Sequence, residues 1–167
     1  GRDYGGLRFV DGKEGQAVEL DGVDDYIASV DMLSGVSLPL SVAAWVYLEE
    51  DVAHGYIVNS DFSPTYSGFV LKLAPGRTLS ISVRDGGGSD ESHHRSKDST
   101  ASVPVKKWTH VAGVVRGLTD MSLYIDGEEV PGTYSGSGGA MVHSSAPLRI
   151  GTSFDEQTWP GKLDDVR

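Results

Sequence analysis

Apolar and polar positions alternate with a period of two along most of this chain. In residues 67–73, Phe69, Leu71 and Leu73 share one face while Val70 and Lys72 take the other, because successive side chains of a strand point to opposite sides. Leu79, Ile81 and Val83 repeat the pattern and leave Ser80, Ser82 and Arg84 outward. Met121, Leu123 and Ile125 do so again, with Tyr124 and Asp126 opposite, as do Leu148 and Ile150 around Arg149. Residues 42–48, VAAWVYL, are apolar on both faces. That predicts a central strand covered on both sides, or one whose Trp45 and Tyr47 floor a groove. No window carries the i, i+3, i+4, i+7 stripe of a helix. About ten strands spaced by turn residues predict an all-β sandwich or barrel.

Three stretches break this rhythm. Residues 85–100, DGGGSDESHHRSKDST, are polar and glycine-rich and read as a mobile exposed loop. Residues 134–140, YSGSGGA, read as a second flexible connection. Residues 59–68, NSDFSPTYSG, mix polar and aromatic side chains around Asn59. No internal repeat or linker divides the chain, so residues 1–167 are expected to form one domain. Its opening, GRDYGGLRF, has neither a signal-peptide pattern nor a native start, which suggests one module of a longer protein.

Charge and cysteine content then narrow the function classes. With 24 acidic against 14 basic residues the net charge is -10, a field that repels phosphate backbones and anionic lipid. Nucleic acid is therefore not an expected partner. The chain has no cysteine, so an extra cross-link would have to be a hard cation held by oxygen ligands. No apolar run approaches the length of a membrane span, and membrane insertion is not expected.

Six segments occur in order: GQAVELDGVDDYI (15–27), SVAAWVYL (41–48), WTHVAGVV (108–115), LYIDG (123–127), LRIG (148–151) and GKLDDVR (161–167). Together they resemble the laminin-G-like, or concanavalin-A-like, lectin and glucanase superfamily, in particular bacterial jelly-roll modules related to pentraxins. The resemblance implies a two-sheet antiparallel jelly-roll sandwich. It also implies a non-catalytic glycan-binding module, calcium-assisted, of a secreted or cell-surface protein. The rival class is a protein-interaction or adhesive spacer module, which a polar, aromatic-poor concave face would favour. Asp126 and Gly127 fit the tight turn after a strand. Trp108 is expected to plug the core edge, and His110 to be a packed, hydrogen-bonded histidine.

In this fold the opening and closing strands commonly lie side by side. Asp21, Asp24 and Asp25 would then face Asp164 and Asp165 around one calcium ion, which takes 6 to 8 oxygen ligands. Pentraxin-like relatives bring two loops together at the edge of the concave sheet to carry ligand-binding calcium; here Asn59, Ser60 and Asp61 with Asp155, Glu156 and Gln157 look similar. Sugar recognition needs planar polar groups for hydroxyls and an aromatic face for the ring. Asn59, Asp61, Arg84, Asp155 and Gln157 are the polar candidates; Tyr66 and Trp159 lead the aromatic ones, with Phe62, Tyr124 and Phe154 behind. Trp159 reads equally well as a lid on the core.

Residues 19–24, ELDGVD, resemble the acid-x-acid-x-x-acid strand of glucanases in this superfamily, whose retaining chemistry needs carboxyl groups about 5 to 5.5 Å apart. Gly22 interrupts that strand and Asp24 stands where those enzymes carry Glu, which counts against hydrolysis. His93 and His94 are adjacent in an extended segment and point apart, so they suit a solvated loop better than a metal.

Overall fold

The computed structural model describes residues 1–32, 35–61, 64–144, 146–153 and 158–167, with no side chains described for residues 30–32. In chain order its strands are β1 (Arg2–Tyr4), β2 (Arg8–Asp11), β3 (Gln16–Asp21), β4 (Tyr26–Met32), β5 (Leu40–Leu48), β6 (Gly55–Asn59), β7 (Ser67–Ala74), β8 (Thr78–Asp85), β9 (His94–Ser102), β10 (Thr109–Gly117), β11 (Asp120–Ile125), β12 (Glu128–Val130), β13 (Gly132–Ser135), β14 (Pro147–Ile150) and β15 (Pro160–Asp164). The sheets run β1-β4-β14-β6-β7-β8-β9-β13 and β12-β11-β10-β5-β15-β3-β2, and every ladder is antiparallel. This is the two-sheet jelly-roll sandwich that the resemblance implies, and one of the two all-β forms that the alternation predicts. The strands beyond those expected include β1, β2, β12 and β13, each three or four residues long and each at a sheet edge. Elements that short carry no readable period.

The core is the set of inward positions of facing strands. Ile57, Leu71, Leu73, Leu79, Ile81 and Val83 come from the eight-stranded sheet, and Ala44, Val46, Leu48, Val111, Leu123 and Leu163 from the seven-stranded one. Each large apolar side chain so buried contributes about 1.5–3 kcal/mol relative to exposure. Gly113 on β10 lets the sheets close: a Cβ there would lie 3.0 Å from Ile81. Central strand β5 buries Val42, Ala44, Val46 and Leu48, and leaves Ala43, Trp45 and Tyr47 half-buried on the outer face. The turn at Asp126 and Gly127 has φ of 50° and 84°, the left-handed pair required by a tight hairpin between β11 and β12.

Residues 85–100 are not the mobile loop expected. Their second half is strand β9, whose inward positions hold Arg95 and Lys97. These donate to Leu118 O and Met121 O and lie over the Tyr134 ring at 4.7 and 5.4 Å, so long cations close this end of the sandwich in place of apolar residues. The first half is tied down by Asp85, which accepts from Gly87 N and Gly139 N at 2.9 Å and meets the His93 ring at 3.0 Å. The second connection, 136–140, is held by the same Gly139 bond and by Ser137 N to Glu91 O and Gly138 N to His94 O.

Hydrogen bonds from Gly139 N and then Gly87 N hold the Asp85 carboxyl below its ordinary value. A depressed carboxylate lends stability that is complete above its unfolded pKa, near ~3.9, and is lost as pH falls through the folded value. The amide nitrogen and proton shifts of Gly87 and Gly139 are therefore expected to step together at a midpoint below that value. Asp85→Asn should remove the step, and a midpoint at or above the ordinary carboxylate pKa would contradict the clamp.

Candidate functional site

The outward positions of β7, β8 and β9 form three rows across the eight-stranded sheet. Lys72, Ser80 and Asp98 stand in one row, Val70, Ser82 and Ser96 in the next, and Gly68, Arg84 and His94 in the third. All of these except Val70 and Gly68 line a groove of about 240 Å³, which His54, Ala74, Pro75 and Ser135 complete. Small hydroxyl residues at the centre leave room between the long charged side chains at the sides. Ser96 Oγ lies 2.7 Å from Ser135 Oγ, across to the edge strand β13. Lys72 Nζ sits 5.2 Å above the Tyr56 ring, which fixes the ammonium at one wall.

At the Arg84 end, Asp61 Oδ2 lies 2.6 Å from Arg84 Nε, out of line for a hydrogen bond, and both Arg84 Nε and Asp61 Oδ1 are buried without hydrogen-bond partners. Burial pushes the Asp61 carboxyl above its ordinary value, and Arg84 pulls it back only in part. Burial likewise draws Lys72 and His54 down; Asp98 opposes it at Lys72, and the Lys72 charge adds to it at His54. The groove thus carries both signs of charge on partly dehydrated walls. Such groups gain from a polar ligand that restores the contacts water has lost.

Of the residues predicted to bind ligand, Asp61, Arg84 and Tyr66 come together, the guanidinium lying 6.0 Å from the Tyr66 ring centroid. Asn59 is buried: it is 2 % exposed and its Oδ1 accepts the Asp61 N–H at 2.8 Å, so it shapes the turn that presents Asp61. Trp159 is corrected to a core residue, 0 % exposed, with Nε1 donating to Tyr47 O at 3.3 Å. It closes the core edge in place of Trp108, which stays half-buried against Tyr47 at 5.6 Å. Asp155 and Gln157, with Phe62, Phe154 and Glu156, lie outside the described residues. Sequence reasoning missed Lys72, His54, His94, Asp98 and Ser135 as groove residues. The outward Ser80, Ser82 and Arg84 were the available signal.

The acidic groups are corrected in their grouping. Strands β3 and β15 do pair, but with Pro160 opposite Asp21 and Leu163 opposite Val18. Asp164 therefore lies four residues along the ribbon from Asp21, about 13 Å at ~3.3 Å per residue. It is buried and accepts Glu14 N at 2.9 Å, while Asp165 pairs with Arg167 at 2.8 Å. Asp21, Asp24 and Asp25 do gather, offering carboxylate oxygens within 4.8 Å of one another. Asp25 accepts from Gly6 N and from Asp21 N, and Asp21 Oδ1 from Val23 N. Each oxygen keeps a further lone pair, so this oxygen-only set fits a hard cation.

Two other surfaces compare poorly with the groove as sugar sites. A roomier depression, about 530 Å³, is lined by Glu19, Asp21, Asp25, Glu49 and Glu50 beside Arg8, so carboxylates crowd it with one cation among them. Lys162 stands 3.6 Å from Glu19 and 3.5 Å from Glu49, so a lysine lies between these two carboxylates. On the outer seven-stranded face, Trp45 and Tyr47 carry Lys13 and Lys162 over their rings, each at 4.9 Å. His110 packs edge-on against Trp45 at 5.3 Å.

Known structures share this architecture. Domain 4 of AbnA, a GH43 extracellular arabinanase from Geobacillus stearothermophilus solved in complex with arabinotriose, is 22 % identical with a TM-score of 0.67, over 98 % of this chain and 75 % of that one. The native heptameric SAP-like pentraxin from Limulus polyphemus is 18 % identical with a TM-score of 0.63, over 85 % and 68 %. Carbohydrate binding module CBM66 from Bacillus subtilis is 15 % identical with a TM-score of 0.50, over 96 % and 90 %. No curated protein matches the chain in sequence. The sequence profile of the concanavalin A-like lectin/glucanases superfamily matches residues 21–167, and the chain belongs to that family.

Proposed function

We propose that this chain is a non-catalytic carbohydrate-binding module of a secreted or cell-surface protein, holding a neutral glycan in the groove on its eight-stranded sheet. The observation that carries the reading is the groove itself: an uncovered sheet face with serine hydroxyls at its floor and Lys72, Arg84, Asp98 and His94 around them. Hydroxyls of a sugar both donate and accept, so one ligand meets ammonium, guanidinium and carboxylate together. An arabinanase domain solved with arabinotriose and a carbohydrate binding module share the architecture, which supports the reading. Calcium at Asp21, Asp24 and Asp25 would brace the rim between β3 and β4, and at 100 times its Kd it would add about 2.7 kcal/mol of stability. No described helix is long and apolar enough to cross a membrane.

A glycan array that includes arabino-oligosaccharides, run in calcium and in EDTA, tests this. Retention of at least one neutral glycan is expected, with Ser82→Tyr, which fills the groove from its floor, weakening it tenfold or more, about 1.4 kcal/mol. Calcium should raise the melting temperature of the wild type and leave Asp24→Asn unmoved. The second reading is a protein-interaction module, favoured by the lack of any aromatic side chain in the groove lining. Failure of every glycan in both buffers would leave that reading in place of the first.

A further inference from the structure

Lys72 is the lysine of the groove lining. Its Nζ sits 5.2 Å from the Tyr56 ring centroid, and the ammonium makes no hydrogen bond or ion pair with a described residue. Directly across the ladder stands Ser80, which brings no charge. The other five lysines are placed differently. Lys97 donates to Met121 O at 2.6 Å, Lys107 pairs with Asp126 at 3.0 Å, and Lys162 stands between Glu19 and Glu49. Lys13 and Lys106 are exposed to solvent.

A half-buried ammonium with no fixed acceptor loses water without gaining a partner, which favours the free amine. Burial draws Lys72 below its ordinary value; Asp98 opposes that, Arg84 adds to it and Asp61 opposes it. His54, drawn down by burial and then by the Lys72 charge, is a neutral neighbour at physiological pH, and His94 lines the groove from β9. A free amine that faces a cavity open to ligands is a nucleophile toward carbonyl carbon.

We propose that Lys72 is a covalent capture site for neutral aldehydes, the class to which the open-chain end of a reducing sugar belongs. The amine lone pair adds to the aldehyde carbon while the carbonyl oxygen takes a proton from water, and the carbinolamine then expels that oxygen as water. One C=N bond replaces one C=O bond, no electrons are exchanged, and hydrolysis reverses the step. Serine hydroxyls along the groove would hold the rest of a sugar beside the amine, which raises its effective concentration there. The sugar rests on the preceding reading; the reactivity of the amine does not.

Reductive alkylation followed by peptide mass mapping tests this. The chain is treated at neutral pH with propanal or with a reducing arabinobiose, and with cyanoborohydride, which traps an imine as a secondary amine. Lys72 is expected to label about fivefold or more faster than Lys13 and Lys106 with both aldehydes. Raising the pH toward ~10.4, where ordinary lysines lose their protons too, should erase that lead. Ser80→Asp sets a carboxylate opposite the ammonium and should slow Lys72 to the pace of the exposed lysines, in a protein whose melting curve shows it folded. Labelling of Lys72 at the pace of Lys106 in the wild type overturns the proposal, even if a glycan array shows the groove to be occupied. A lead that is unchanged at high pH also overturns it, since position and not dehydration would then set the rate. Preferential labelling that never saturates with arabinobiose, and that its alditol does not inhibit, upholds the amine and counts instead against the groove as a sugar site.

Discussion

Replacing Trp159 with alanine is expected to cost about 3–5 kcal/mol, the range for deleting a large aromatic side chain from a core. That is a large fraction of the 5–15 kcal/mol that holds typical domains together, and for a domain of this size it lowers the melting temperature by roughly 6–20 °C. The indole spans both sheets: its Nε1 donates to Tyr47 O on β5, and its ring packs against Gly55 on β6, where an added Cβ would come within 3.0 Å. Its own backbone N–H goes to Gly151 O at 2.8 Å. The loss would thus combine removed apolar area, a lost hydrogen bond and a cavity between the layers. Trp159→Phe keeps most of that volume and is expected to fold with glycan affinity within about twofold of the wild type, since an indole with no exposed surface cannot stack on a sugar. Chemical denaturation and a binding titration on the same two variants decide the point. A stable Trp159→Ala protein, or a Trp159→Phe protein that folds but fails to bind glycan, would return this residue to the ligand site.

The sequence signal was strongest where one face of a strand meets the core. Phe69, Leu71 and Leu73, then Leu79, Ile81 and Val83, alternate in the sequence and are buried in the structure, because a period of two and a single apolar interior leave one register open. Strand β9 hid for the converse reason: its inward positions include Arg95 and Lys97, which snorkel to carbonyls and a tyrosine ring at the open end of the sandwich. Polar residues beside glycines look like a loop unless the partner strands are known. Groove residues were half legible. Ser80, Ser82 and Arg84 were placed outward, but their meeting with Lys72 on β7 and His94 on β9 depends on ladder registers that no local pattern encodes. The acidic clusters show the limit of adjacency arguments. That β3 and β15 are neighbours was inferred correctly; that antiparallel pairing carries Asp164 to the far end from Asp21 requires the register itself.

Asp25→Ala should be the second most damaging single change, at about 2–4 kcal/mol, and the loss should persist in EDTA. The carboxylate is 3 % exposed and accepts the N–H of Gly6 and, at 2.9 Å, the N–H of Asp21. The Gly6 amide lies in one crossover and the Asp21 amide at the end of β3, where another begins. The link from β1 to β2 passes from the eight-stranded to the seven-stranded sheet, and the link from β3 to β4 returns the other way. One side chain therefore fastens both crossovers at the same corner, through hydrogen bonds strengthened by its charge. Gly5 has φ of 76° and no room for a Cβ beside this carboxylate, so the turn is built around it. Alanine would leave two amide donors to find water or go unpaired, each at about 1–3 kcal/mol. Asp25→Asn, which keeps one accepting oxygen, should lose about half as much. Calcium separates this role from metal binding: Asp24→Asn is expected to change stability only when calcium is present, whereas Asp25→Ala weakens the domain in calcium and EDTA alike. If Asp25→Ala proves as stable as the wild type in EDTA, the carboxylate serves only a cation and the account of the two fastened crossovers fails.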